Sequence, residues 1–182
     1  IVQALRDLFT AAKITSTNII FSIPITSCFI SAINIPKVSD EELKSLIPIE
    51  ARKYLPIPVS EVKINYWRTS VNFKNVDIED NIIIAAVRND TLEMYQRYAT
   101  ALGIKNVSFE IESLAGARIA AKGASIDEAL VYIDIGGKIS SFTFIHEGMV
   151  KATNIIQYGS YDNTAQTAKV LGLGIDVSEE AK

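Results

Sequence analysis

Asp134-Ile135-Gly136-Gly137 is the stretch of this chain best equipped for chemistry. An apolar strand pattern runs into Asp134, and two further strand patterns follow before Tyr158-Gly159-Ser160. A carboxylate at a strand end can hold a cation through water, and glycines after it let backbone amides approach and face an anion. Asp-x-Gly-Gly is also a good hairpin turn. Taken alone, the tetrapeptide favours the turn over a phosphate loop.

Other reactive residue types are sparse. His146, the single histidine, stands beside Glu147-Gly148 at an expected hairpin tip. With no orienting partner in view it reads as a solvated turn residue rather than a general base. Cys28, the single cysteine, lies in an apolar run without basic neighbours and reads as a buried structural thiol rather than a nucleophile. Glu110 and Glu112 flank a strand-to-helix junction and could work as a pair. The plainer reading has one exposed and the other in the first helical turn, where negative charge suits the helix dipole. Tyr95 and Tyr98 sit at helical spacing and read as core or interface. Tyr66 and Trp67 occupy adjacent strand positions and so face opposite sides. One of them belongs at a surface or groove, and the sequence leaves open which. No zinc spacing, Ser-His-Asp arrangement, Walker loop or Rossmann glycine fingerprint is present, so no catalytic residue is assigned.

The elements that must position these residues follow from composition and periodicity. With 182 residues the chain is one large domain or two small ones, and 48% apolar content is ample for a packed core. Net charge is −3 with acids and bases interleaved, so the basic stripe of a nucleic-acid binder is missing. No apolar run approaches the roughly 20 residues of a membrane span. One cysteine excludes an intrachain disulfide framework and fits a reducing compartment. The chain opens on Ile1 with helical spacing already under way, which reads as a piece of something longer.

Val2, Leu5, Leu8, Phe9 and Ala12 predict an amphipathic helix over 2–13. The continuous apolar run 18–24 suits a strand covered on both faces, and 28–35 is a second strand ending at Pro36. Ser39 and Glu42 predict a capping box for a helix to about Leu55, with Pro48 expected to kink or split it. Strands are expected over 61–69 and 81–87, with a polar loop over 72–80. Asp90 with Glu93 predicts a second capping box, for a helix ending at Leu102-Gly103. A short strand at 107–109, a helix over 113–122, a three-strand meander over 129–159 and a helix over 163–171, ended by Gly172 and Gly174, complete the pattern. The class is therefore α/β or α+β, with a composition boundary near 123–127.

Four segments, in order, resemble the PilM family of type IV pilus assembly proteins. EARKYLPIPVSEV (50–62) is similar to that family's helix end and Tyr-Leu-Pro turn. VSFEIESLAGARIAA (107–121) resembles its strand–Glu-Ser–helix return, and VYIDIGGKISSFTFIHEG (131–148) the second phosphate loop of actin-like ATPases. GSYDNTAQTAKVLGL (159–173) is similar to its Gly-Gly-x-Asp-x-Thr segment and following helix. The chain departs from the family pattern at Ile139, Ser160 and Pro48.

The resemblance implies an α/β fold of actin-like (ribonuclease H-like) core subdomains with an inserted α+β subdomain, present here as a truncated fragment. Residues 1–26 and 104–123 would be part of the first core subdomain, 27–103 the inserted subdomain and 124–182 the start of the second core subdomain. It further implies that Asp134 orients Mg²⁺ through water, that Gly136, Gly137 and Ser140 lie near the β- and γ-phosphates, and that Gly159 approaches the nucleotide. ATP and Mg²⁺ would belong to the full-length parent, at most a weak ATPase, whose first phosphate loop and adenosine half lie outside 1–182. ATP binding by residues 1–182 is expected to be weak or absent. The implied role is a cytoplasmic scaffold at the inner-membrane face. It would bind the cytoplasmic N-terminal peptide of a PilN-like inner-membrane protein, touch the membrane only through partners, and bind no nucleic acid. The alternatives are an FtsA-like cell-division actin homologue and, lower, a sugar kinase of the same superfamily, for which no convincing carboxylate and sugar pocket is present.

Overall fold

The computed structural model describes residues 1–69 and 79–180, so the segment 72–78 of the expected polar loop lies outside the described residues. The chain divides into two compact units, Ile1–Ala115 and Gly116–Lys182.

In the first unit, helix α1 (Val2–Ala11) precedes strand β1 (Asn18–Ile23). Strands β2 (Cys28–Pro36), β3 (Val62–Thr69) and β4 (Glu79–Arg88) form an antiparallel sheet in the order β2–β4–β3. Helix α2 (Asp40–Ala51) joins β2 to β3, and helix α3 (Asn89–Ala101) follows β4. Strand β5 (Asn106–Ile111) then pairs in parallel with β1, Asn18 opposite Asn106 through Ile23 opposite Ile111. Helix α4 (Glu112–Ala120) leads out of it.

Period-two alternation decides what each face of the three-stranded sheet touches. Ile33, Ile35, Ile82 and Ile84 point to the α2 side, where Leu43, Ile47 and Ala51 close a fully buried core. Each such leucine or isoleucine side chain contributes about 1.5–3 kcal/mol by leaving water. Ile64 and Tyr66 pack against the same cluster, so Trp67 points the other way.

Local signals account for the ends of α2. The Ser39 hydroxyl accepts from the Glu42 amide at 3.3 Å, and Glu42 Oε2 accepts from the Ser39 amide at 3.0 Å, the expected capping box. Pro48 does not split the helix: it lies inside α2, which ends at Ala51 rather than near Leu55. Proline in a helix interior costs about 3 kcal/mol, and burial of Ile47 and Ala51 on either side of Pro48 offsets it.

Two further expectations fail in this unit. The capping box at α3 is absent: Arg88 occupies the N-cap with no side-chain bond. Asp90 instead pairs with the Arg88 guanidinium at 2.6 Å and accepts from the Thr91 amide. The hydrogen bond from Arg88 pulls the Asp90 carboxyl down to about 2. A guanidinium two residues away thus outcompetes the cap. Strand β1 is likewise not covered on both faces, since Ile23 is buried while Ile20 is 67% exposed. Its only strand neighbour among the described residues is β5, and an apolar run says nothing about what packs over it.

The second unit carries the predicted meander, β6 (Leu130–Ile135), β7 (Ser140–His146) and β8 (Met149–Ile156), then α5 (Ser160–Leu171) and α6 (Ile175–Glu180). Glu147 and Gly148 both have positive φ, 54° and 68°, the two-residue turn that matches strand twist. His146 is the last residue of β7 and half-buried, so the turn itself falls to its neighbours. Ser141, Thr143 and Ile145 are buried on β7, and the Thr143 and Thr153 hydroxyls bond at 2.7 Å. Gly172, at φ 65°, ends α5 in the left-handed conformation as predicted. Helix α5 begins three residues earlier than periodicity indicated, and α6 carried no signal strong enough to predict.

Candidate functional site

Two places in the chain collect the residues singled out above. One is the turn between β6 and β7 in the second unit. Gly136 donates its amide to the Ile139 carbonyl at 3.0 Å, closing a tight turn. The carbonyls of Gly136 and Gly137 in turn accept the amides of Ser160 and Tyr161, at 2.8 and 2.9 Å, from the first turn of α5. Ser140, 5% exposed, donates its hydroxyl to the Tyr158 carbonyl at 2.8 Å. Gly159 sits where a Cβ would come within 2.5 Å of the Gly137 oxygen and 2.7 Å of the Gly136 oxygen. The structure therefore brings Gly136, Gly137, Ser140 and Gly159 into one knot, while Asp134 lies exposed near the end of β6, opposite Ser141.

This geometry limits what the turn can offer a nucleotide. A helix N-terminus binds anions through its free first-turn amides. In α5 the Gly159 amide goes to Asp162 Oδ2 at 2.8 Å, and the next two go to the glycine carbonyls. Asp134 is an exposed carboxylate, suited to a cation held through water. No group of three or more His, Cys, Asp or Glu that could ligate a metal directly occurs among the described residues.

The second place is a groove of about 480 Å³ in the first unit, on the sheet face opposite α2. Its floor is Lys63, Asn65 and Trp67 of β3 with Ala85 and Val87 of β4. Ile23, Leu92, Phe109, Ile111 and Leu114, from β1, α3, β5 and α4, form the remaining apolar lining. Aromatic packing stiffens that region: Phe21 lies 4.8 Å from Tyr95 and 6.1 Å from Phe109, and Tyr95 meets Tyr98 edge-on at 6.2 Å. The tyrosines are thus packing residues, as their spacing indicated. Trp67 resolves the pair left open in the sequence. The alternation Val62, Ile64, Tyr66 was the signal that could have assigned it, because it puts Tyr66 with the core.

The carboxylates at the β5–α4 junction have different surroundings. Glu110 lines the groove, while Glu112, in the first turn of α4, accepts the Ile25 amide at 2.7 Å. Nearby, Cys28 donates its thiol to the Pro24 carbonyl at 3.3 Å. Burial first, and the Glu112 charge second, push this thiol up to about 12. It is protonated at neutral pH, which removes the nucleophile. A thiol-specific alkylating reagent at pH 8 is expected to label native Cys28 slowly and the urea-unfolded chain quickly. Equal rates would show an accessible thiolate. Because the folded value is raised, the stabilising contribution is complete below pH 9 and is lost as pH rises towards 12.

No helix among the described residues is long and apolar enough to cross a membrane. Residues 1–182 match the family described as type IV pilus assembly protein PilM. The fold is similar to the PilM-PilN type IV pilus biogenesis complex, with a TM-score of 0.81 at 19% identity, covering 100% of this chain and 55% of that one. It is also similar to the cytoplasmic domain of EpsL, an inner membrane component of the type II secretion system of Vibrio cholerae. That match has a TM-score of 0.58 at 13% identity and covers 95% of this chain and 60% of that one. The chain thus spans little more than half the length of the solved structures it matches, and at these identities the likeness concerns the fold. That fold is α/β, one of the two classes the sequence pattern allowed. On the whole-chain match, this protein belongs to the PilM family of type IV pilus assembly proteins.

Proposed function

We propose that this chain is the peptide-capturing part of a type IV pilus scaffold, and that the groove floored by Trp67 holds the cytoplasmic N-terminal peptide of a PilN-like inner-membrane protein. The observation that carries this reading is the groove itself: a concave, largely apolar site with a few polar groups at Lys63, Asn65 and Glu110. A short extended segment suits such a shape, since alternate side chains can enter while its backbone stays at the rim. The matched structure with its PilN partner supports the choice of partner. The scaffold would then work in the cytoplasm, held at the inner-membrane face through the partner.

The test is a pull-down with the immobilised cytoplasmic peptide of the PilN-like protein from the same genome. Enrichment of the chain over a scrambled peptide is expected; equal recovery on both would sink the reading.

For nucleotide, the longer protein is the proposed binder. Asp134 would orient Mg²⁺ through water, and Gly136, Gly137, Ser140 and Gly159 would lie near the phosphates; bound ATP would supply a hydrolysable anhydride. Residues 1–182 alone are proposed to hold ATP weakly or not at all, in keeping with the first-turn amides of α5 already being bonded within the knot.

A further inference from the structure

Among the described residues β3 is an edge strand. The sheet runs β2–β4–β3, and among the described residues nothing pairs with the outer side of β3. Exposed edges invite another strand, and proteins commonly blunt them. Here the Tyr66 amide donates to the side-chain oxygen of Asn65 at 2.9 Å. That amide is therefore turned to the outer edge rather than to β4. Main-chain groups alternate in direction along a strand, so Ile64 and Arg68 present theirs to the same edge, while those of Lys63, Asn65 and Trp67 turn towards β4, where their register partners are Val87, Ala85 and Ile83.

Edge and groove adjoin. Lys63, Asn65 and Trp67 lie on the face that floors the groove, and Ile64 reaches its lining from the edge. The opposite face is closed by α2. A segment laid along the outer edge of β3 would send every second side chain over Trp67 and towards Leu92 and Phe109, and the other side chains away from the groove. A helix in the same place would leave the edge amides without acceptors, which is unfavourable wherever they are shielded from water.

We propose that the groove takes its peptide as a fourth strand added to the outer edge of β3, with Asn65 as a removable cover on that edge. This rests on the peptide-groove reading above and adds the mode of binding. The Asn65 oxygen stands in for the carbonyl of the missing strand, and it leaves the Tyr66 amide when a peptide carbonyl arrives. The occupant is an extended segment with apolar residues at every second position over about five residues, the length of β3 along the groove floor.

The same cover occurs on β8, an edge of the β6–β7–β8 sheet, where the Ile155 amide donates to Asn154 Oδ1 at 2.8 Å. It supplies an internal control. The experiment is amide hydrogen exchange of the full chain by NMR with and without the PilN-like peptide, beside calorimetric titration of peptides N-methylated at odd or at even positions. Exchange at Ile64, Tyr66 and Arg68 is expected to slow about tenfold or more on binding, with Ile155 unchanged. One N-methyl series should lose about tenfold or more in affinity while the other binds like the parent peptide, since only one set of peptide amides faces β3. If the unmodified peptide binds but both series match it and Tyr66 gains no protection, strand addition is overturned while the peptide reading stands. If the unmodified peptide itself fails to bind, the peptide reading falls, and this inference with it.

Discussion

Gly159→Ala is expected to lower the unfolding free energy by about 3 kcal/mol, at the upper end of overpacking costs. The reason is proximity rather than dihedral freedom. Gly159 has an extended backbone that any residue adopts, φ −147° and ψ −169°. Its would-be Cβ meets backbone oxygens at 2.5 and 2.7 Å, and backbone cannot swing aside as a flexible side chain can. Relief requires separating the 136–137 turn from α5, which would stretch the bonds from Ser160 and Tyr161. Gly174→Ala is the control, because nothing lies within 4 Å of a Cβ there. Urea unfolding followed by far-UV circular dichroism should show a lower midpoint for Gly159→Ala and a near-native one for Gly174→Ala. A native midpoint for both would mean that the turn and the helix are not in close contact.

Trp67→Ala is expected to weaken capture of the PilN-like peptide by about 30-fold or more, the scale of an aromatic hot spot at about 2 kcal/mol. Its neighbour separates binding from folding. Tyr66 packs on the α2 core, so Tyr66→Ala should cost about 3 kcal/mol of stability through the cavity it leaves. Trp67 floors the groove, so its loss should fall mainly on the peptide. Calorimetric titration paired with urea melts reads both quantities. If Trp67→Ala binds like the parent, the peptide lies elsewhere.

What the sequence made legible was local. Ser39 and Glu42 meet across three residues, and Gly172 ends α5 for a conformational reason that needs no tertiary partner. Asp90 and Glu93 carry the same spacing logic, yet Arg88 takes the carboxylate, a competition that spacing does not encode. The knot at Gly136, Gly137 and Gly159 was legible in its membership, because glycine marks close approach. What the approach serves was not, since carbonyls facing α5 and amides facing a phosphate demand the same residue. Composition and spacing marked the groove only through one undecided aromatic. Its walls come from Ile23, Leu92, Phe109 and Leu114, four elements that only tertiary packing brings together.

The main-chain bonds between the 136–137 turn and α5 make that helix a lever. Twelve residues at 1.5 Å each give an arm of about 18 Å, so a tilt of about 10° at the turn displaces the far end by about 3 Å. Helix α6 travels with it, tied through the Thr164 hydroxyl and the Glu179 carboxylate. A small displacement beside Asp134 is thereby magnified at the opposite end of α5, and because the pivot consists of backbone bonds, it stays in place whatever side chains the arm carries.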